Sequence, residues 1–154
     1  MEEPTFDLAA AHRHFSADCF NRAWDEMDKT TRTSAEDEQM LLLGHASLWH
    51  WSQRADCTPT VLSVGCWQLA RMYAMLLQVN LANIWAQRSL EYSQADGVAP
   101  FYRAYAYEAL ARSWKIGGDT QKMQEYLKLA QEWAARVIEE EDRKLVLDDL
   151  AGLG

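Results

Sequence analysis

Apolar side chains recur every three to four residues along most of this chain, which is the spacing of one face of an α-helix. The first such face consists of Leu8, His12, Phe15, Cys19, Ala23 and Met27. No stretch sustains the apolar–polar alternation that is typical of a half-buried strand. The pattern therefore predicts an all-α protein.

Turn and capping residues divide this pattern into separate helices. Thr33 followed by Glu36 is the signature of a capping box and predicts a helix over about 34–54. The other predicted boundaries are Thr58 with Pro59, Pro100, the N-caps Asn80 and Asp119, and the turn Gly117-Gly118. The acidic run from Glu139 to Asp142 favours a last helix, since carboxylates complement the positive end of the helix dipole.

These boundaries predict one domain, 1–154, built from three stacked antiparallel helix hairpins. The hairpins cover about 5–54, 59–96 and 100–138, and a short C-terminal helix, 140–151, covers the end of the stack. Single amphipathic helices of this length are marginal in water, so stacking has to supply their stability.

Two of the hairpins carry a repeated pattern. Leu69-Ala70-Arg71-Met72-Tyr73 opens one copy and Leu110-Ala111-Arg112-Ser113-Trp114 opens the other, 41 residues later. Small residues and aromatics at helical spacing, repeated at such a period, are typical of stacked helix pairs. We therefore expect Ala70 and Ala111 to be equivalent points of close helix approach.

The second copy, Tyr107-x2-Leu110-Ala111-x2-Trp114, resembles the first helix of a tetratricopeptide repeat with its terminal aromatics exchanged. The first copy is similar but has Cys66 at the leading aromatic position. The period is longer than the family's 34 residues, and Met123 stands where the second helix of that family has alanine. The stretches 45–51 and 101–108 are also similar to those of short, uncharacterised bacterial helical proteins.

The resemblance implies an interaction module. Tetratricopeptide arrays bind extended peptides on the surface formed by the first helices of their hairpins. The family's inward positions correspond to Trp67, Arg71, Tyr105, Glu108, Arg112 and Lys115. The three cations of this set suit a peptide carboxylate, because arginine offers a two-pronged donor. The alternative is that these arginines pair with Glu108, Asp25 or Glu26 and have a structural role.

An aromatic series accompanies these positions. It comprises Phe101, Tyr102, Tyr105 and Tyr107, together with Trp67. One interpretation is a cage for a small apolar or cationic ligand. The other is ordinary packing between helices.

A second hypothesis is a small-molecule or metal-binding protein, possibly an enzyme, with a pocket formed by His45, His50, Arg71, Tyr107 and Glu108. In this pocket a histidine would act as base or ligand and Glu108 as its partner. A metal would need ligands from several helices, for example His12 with His45 or His50, because no Glu-x-x-His pair occurs. Under the first hypothesis, an interaction module, the sequence predicts no catalytic residue, no metal and no cofactor.

Composition narrows the range of partners. The net charge of −8 and the isoelectric point near 4.9 disfavour nucleic acids and anionic membranes. No apolar run is long enough to span a bilayer, and the start, Met1-Glu2-Glu3-Pro4, lacks the features of a signal peptide. Three cysteines without a motif indicate reduced thiols in a cytoplasmic protein. We expect a protein or peptide partner, or a second copy of the chain, since a stack has two ends.

Overall fold

The computed structural model describes residues 5–154, and these residues form seven helices without a strand. The helices are α1 (Leu8–Met27), α2 (Ser34–Ser52), α3 (Pro59–Met75), α4 (Val79–Ser93), α5 (Pro100–Ile116), α6 (Thr120–Ala134) and α7 (Glu140–Ala151). The predicted all-α class is confirmed, with three hairpins followed by a short helix. The acidic start, Met1 to Pro4, on which the signal-peptide prediction depends, lies outside the described residues.

The three hairpins stack in chain order. Each consists of two consecutive helices in extensive contact, α1 with α2, α3 with α4, and α5 with α6. Helix α3 packs on α2 of the preceding hairpin, and α5 packs on both α4 and α3. Helix α7 lies against α5 and α6 and so covers the end of the stack.

Small buried residues recur in every hairpin. Ser47 Oγ of α2 donates to the carbonyl of Ser16 on α1 at 2.7 Å, and Ser89 Oγ of α4 donates to the carbonyl of Ser63 on α3 at 2.9 Å. In the third hairpin the positions 41 residues beyond this serine pair hold alanines, Ala104 and Ala130, which are both completely buried. The first hairpin therefore shares this serine contact with the second, although its sequence shares only the helical periodicity of the others.

Small residues also determine how closely neighbouring helices approach. Ala70 and Ala111, the small residues of the sequence repeat, are both buried. On α2, a Cβ atom added to Gly44 would lie only 2.8 Å from Met72 Sδ and 3.0 Å from Leu69 Cδ2 of α3. A side chain at position 44 would displace the ends of Met72 and Leu69, so glycine favours the close approach of α2 and α3.

Most of the predicted helix starts are confirmed. Thr33 and Glu36 form the capping box, with Thr33 N donating to Glu36 Oε2 at 2.7 Å and Glu36 N donating to Thr33 Oγ1 at 3.2 Å. Thr58 caps α3, whose first residue is Pro59, and Asp119 caps α6. Several helices end earlier than predicted, with α4 ending at Ser93 and α6 at Ala134.

The predicted cap Asn80 is wrong. Helix α4 begins at Val79, so Asn80 lies inside its first turn, and Gln78 precedes the helix without a side-chain capping bond. The reason is the tight turn after α3, in which Gln78 N donates to the Tyr73 carbonyl at 2.8 Å. This bond brings the chain into the next helix two residues earlier than Asn80 would.

The turn at Leu77 repeats the turn at Gly118. In the second copy Asp119 N donates to the Trp114 carbonyl at 3.0 Å, which matches the bond from Gln78 N in the first. Gly118 has φ +78°, and Leu77, at the equivalent position, has φ +57° and an exposed side chain. The left-handed region favours glycine, so Leu77 holds a strained backbone conformation.

We expect the substitution Leu77→Gly to raise the free energy of unfolding by about 0.5 to 1 kcal/mol, because relief of the left-handed strain exceeds the extra chain entropy of glycine. Urea denaturation measures the change. The matched control, Gly118→Ala, should lower stability by about 1 kcal/mol. A loss of stability in Leu77→Gly would contradict this account of the turn.

Candidate functional site

The first helices of the hairpins form a groove together with α7. Trp24 of α1 and Asp149 of α7 line one cavity of about 320 Å³, although their helices belong to opposite ends of the stack. This face of the molecule must therefore curve inward. We call it the first-helix groove, and we call the cavity the aromatic pocket.

Five half-buried aromatic rings line the aromatic pocket: Trp24, Trp67, Phe101, Tyr102 and Tyr105. The ring centroids of Trp24 and Trp67 are 5.9 Å apart, those of Trp67 and Tyr105 are 5.5 Å apart, and those of Phe101 and Tyr105 are 5.0 Å apart. Such offset and edge-to-face contacts make a rigid apolar wall.

The structure brings together four of the five aromatic residues that the sequence singled out. The exception is Tyr107, which stacks on Tyr126 of α6 with ring centroids 6.3 Å apart. Tyr107 thus belongs to the packing between α5 and α6 and does not line the aromatic pocket.

A second cavity of about 240 Å³ adjoins the first, with Val64 and Tyr102 in the lining of both. Phe20 of α1 and Trp51 of α2 line its far side. The two adjoining cavities therefore extend across the first helices as parts of the first-helix groove.

A buried carboxylate lies beside the aromatic pocket. Glu108 is completely buried, and its Oε2 accepts a bond from Trp67 Nε1 at 3.0 Å. Its Oε1 accepts bonds from Nε and Nη2 of Arg112, while Arg71 Nη1 lies 3.7 Å away. Trp67 and Glu108 are equivalent in the sequence repeat, and so are Arg71 and Arg112.

The two arginines balance this buried charge. Their side chains are 30% exposed for Arg71 and 24% exposed for Arg112. Burial, and then the charge of Arg112, lower the pKa of Arg71. Of the pairings considered from the sequence, the one with Glu108 is present, whereas Glu26 bonds to Lys29. Trp67 is thereby held in place by a charged bond at its indole nitrogen.

Helix α7 and the residues that follow it supply the partners of the remaining predicted groove residues. Tyr105 Oη donates to Asp149 Oδ2 at 2.6 Å, and Lys115 Nζ donates to the Leu153 carbonyl at 3.0 Å. Burial and the bond to Asp149 both raise the pKa of Tyr105. Lys115 is thus directed toward the C-terminal end of the chain, away from its predicted role in a carboxylate clamp.

Sequence reasoning did not identify six of the residues that line the aromatic pocket, of which Trp24 and Asp149 matter most for its chemistry. Trp24 belongs to the hairpin without the repeat pattern, and Asp149 belongs to a helix that was interpreted only as a cap. The signal available for Trp24 was its place on the first amphipathic stretch. No signal existed for Asp149, because its position depends on how α7 crosses α5.

Of the alternative pocket residues, Arg71 and Glu108 lie together, whereas the two histidines make separate contacts. His45 Nε2 lies 2.9 Å from Tyr73 Oη, and the His45 ring packs edge-on against Trp85. His50 Nδ1 lies 2.9 Å from His12 Nδ1 in a separate contact between α2 and α1. Among residues 5–154, no three histidine, cysteine, aspartate or glutamate side chains are grouped so that they could hold a metal ion.

Comparisons with protein-family models, with curated proteins and with solved structures find no match for this chain. None of the helices within residues 5–154 combines the length and the apolar character that crossing a membrane requires.

We expect Arg112→Met to lower the free energy of unfolding by about 2 to 3 kcal/mol, because it leaves the buried Glu108 carboxylate undercompensated. The double variant Arg112→Met/Glu108→Leu should recover at least half of this loss, since it removes the uncompensated charge. Urea denaturation of Arg112→Met, Glu108→Leu and the double variant completes the cycle. If the stability losses of the two single variants simply add up in the double variant, Arg112 and Glu108 are not coupled and this account is wrong.

We expect stability to fall as the pH drops below about 6.5, the ordinary pKa of histidine. Burial, and then the charge of His12, lower the pKa of folded His50, so the unfolded chain binds the proton more readily. The contribution of neutral His50 to stability is present above the pKa of this residue in the unfolded chain. It is lost as the pH falls toward the lower pKa of His50 in the folded protein. The variant His50→Gln should show a shallower loss between pH 7 and 5 by thermal melting, and an identical slope would refute this account.

Proposed function

We propose that this protein is an interaction module that holds an extended segment of a partner protein in the first-helix groove. The observation that carries the proposal is the pair of adjoining cavities, which share Val64 and Tyr102 and are lined by large, half-buried aromatic side chains. Partly exposed rings on the inner helices of a stack are typical anchors for a partner.

The sizes of the two cavities favour a peptide. Their volumes, about 320 and 240 Å³, lie at or below the lower end of the range for drug-sized ligands, which is about 300 to 1,000 Å³. Each cavity is large enough for one side chain. An extended segment places neighbouring side chains a few ångströms apart, so it reaches two adjoining cavities in turn.

The resemblance to tetratricopeptide repeats supports the same proposal, because that family binds extended peptides on its first helices. In the proposed complex, Trp67 and Tyr105 act as apolar anchors. Arg71 remains partly exposed at the edge of the groove, so its guanidinium can donate to backbone carbonyls of the bound segment. Glu108 and Arg112 act on the ligand through the position of Trp67.

A selection of random peptides displayed on phage tests the proposal. We expect the immobilised protein to enrich peptides whose affinity falls at least tenfold in Tyr102→Ala, because this change opens the wall between the two cavities. Tyr102 makes no side-chain hydrogen bond among the described residues, so the fold should survive, as checked by circular dichroism.

Tyr92→Ala is the matched control, since Tyr92 is a partly exposed tyrosine on α4 that lines neither cavity. Peptides that bind wild type and Tyr102→Ala equally well would overturn the proposal. A dimer in light scattering that is lost in Tyr102→Ala would overturn it too, because the occupant of the groove would then be a second copy of the chain.

A further inference from the structure

The aromatic pocket has a charge of one sign in its lining. Asp149 is the only ionisable carboxylate among the described residues that line it, and no lysine, arginine or histidine does so. The carboxylate accepts one bond, from Tyr105, and so keeps free acceptor capacity. The polar groups at the back, Ser63 and Ser89, bond to one another. A ligand with a hydrogen-bond donor can therefore bind the free acceptor of Asp149 at the edge of this apolar cavity.

The charges around the groove alternate in sign. Arg112 contacts Glu108, Arg71 lies between Glu108 and the neighbourhood of Asp149, and Asp149 ends the series at the pocket. Glu108 carries one negative charge against two arginines, so Asp149 is the second negative charge of this group. A ligand charge that contacts Asp149 directly from inside the pocket is favourable when it is positive.

The wider field of the molecule acts in the same direction. With a net charge of −8, the protein attracts cations and repels anions as they approach the groove. The faces of aromatic rings also attract cations, most strongly those of tryptophan. Trp24 and Trp67 both line the pocket.

We propose that the aromatic pocket binds the side chain of an arginine in the partner's extended segment. This inference rests on the proposed function and names the chemistry of its anchor. The planar guanidinium stacks flat on aromatic faces and donates two parallel bonds to a carboxylate, whereas the lysine ammonium is a compact point charge without a planar, two-pronged donor. Asp149 is the acceptor, and the aromatic rings enclose the apolar stem of the arginine.

Three acetylated and amidated alanine-based peptides test the proposal, each with one central arginine, norleucine or glutamate. Titration of the ¹⁵N-labelled protein by NMR follows the indole N–H signal of Trp67. We expect the arginine peptide to bind at least tenfold more tightly than the norleucine peptide. Asp149→Asn should abolish this preference without changing the affinity for norleucine, because asparagine still accepts the Tyr105 bond.

Asp148→Asn is the matched control. Asp148 precedes Asp149, is exposed and pairs with Lys144, so its substitution makes the same change in net charge outside the pocket. The arginine preference should persist in this variant.

The outcomes separate the two proposals. Equal binding of the arginine and norleucine peptides, or tightest binding of the glutamate peptide, would overturn the arginine assignment and leave the groove as a peptide site. An arginine preference that survives Asp149→Asn would also overturn it. If none of the three peptides shifts a groove resonance, both the assignment and the proposed function fail.

Discussion

The buried carboxylate of Glu108 is the constraint on which the first-helix groove depends. A charge without solvent is costly unless donors surround it, and Glu108 is surrounded by an indole and two guanidinium groups. These donors come from α3 and α5, the central helices of the groove. Satisfying one carboxylate therefore fixes the distance between these helices and the orientation of the Trp67 ring.

The repeat explains how the cluster arises. Equivalent positions on neighbouring first helices face each other across the stack, so one difference between the copies creates complementary chemistry. Position 67 holds tryptophan and position 108 holds glutamate, while both copies keep arginine one turn further on. Two arginines then meet one carboxylate without any change of backbone. In the first hairpin the corresponding face holds Trp24, and the groove becomes aromatic there.

The sequence predicts the helices well and the groove only in part. Capping residues such as Thr33 and Asp119 act within a few residues of the helix they start, so their effect can be read locally. The prediction that Asn80 caps α4 was wrong because the strained turn at Leu77 determines where this helix begins, whatever the capping preference of asparagine. The cluster at Glu108 follows from the repeat, whereas Asp149 and the contact between His12 and His50 depend on how distant helices cross. Crossing angles depend on packing along the whole stack, and no short pattern records them.

Helix α7 is joined to the stack by a small contact area, yet it supplies a wall of the aromatic pocket. Terminal segments with few packed neighbours open locally at a lower free energy than the core. A ligand that needs Asp149 selects molecules in which α7 is docked, so its apparent affinity scales with the docked population. By the same linkage, occupation of the pocket protects the α7 amides from hydrogen exchange, and the end of the chain becomes part of the binding equilibrium.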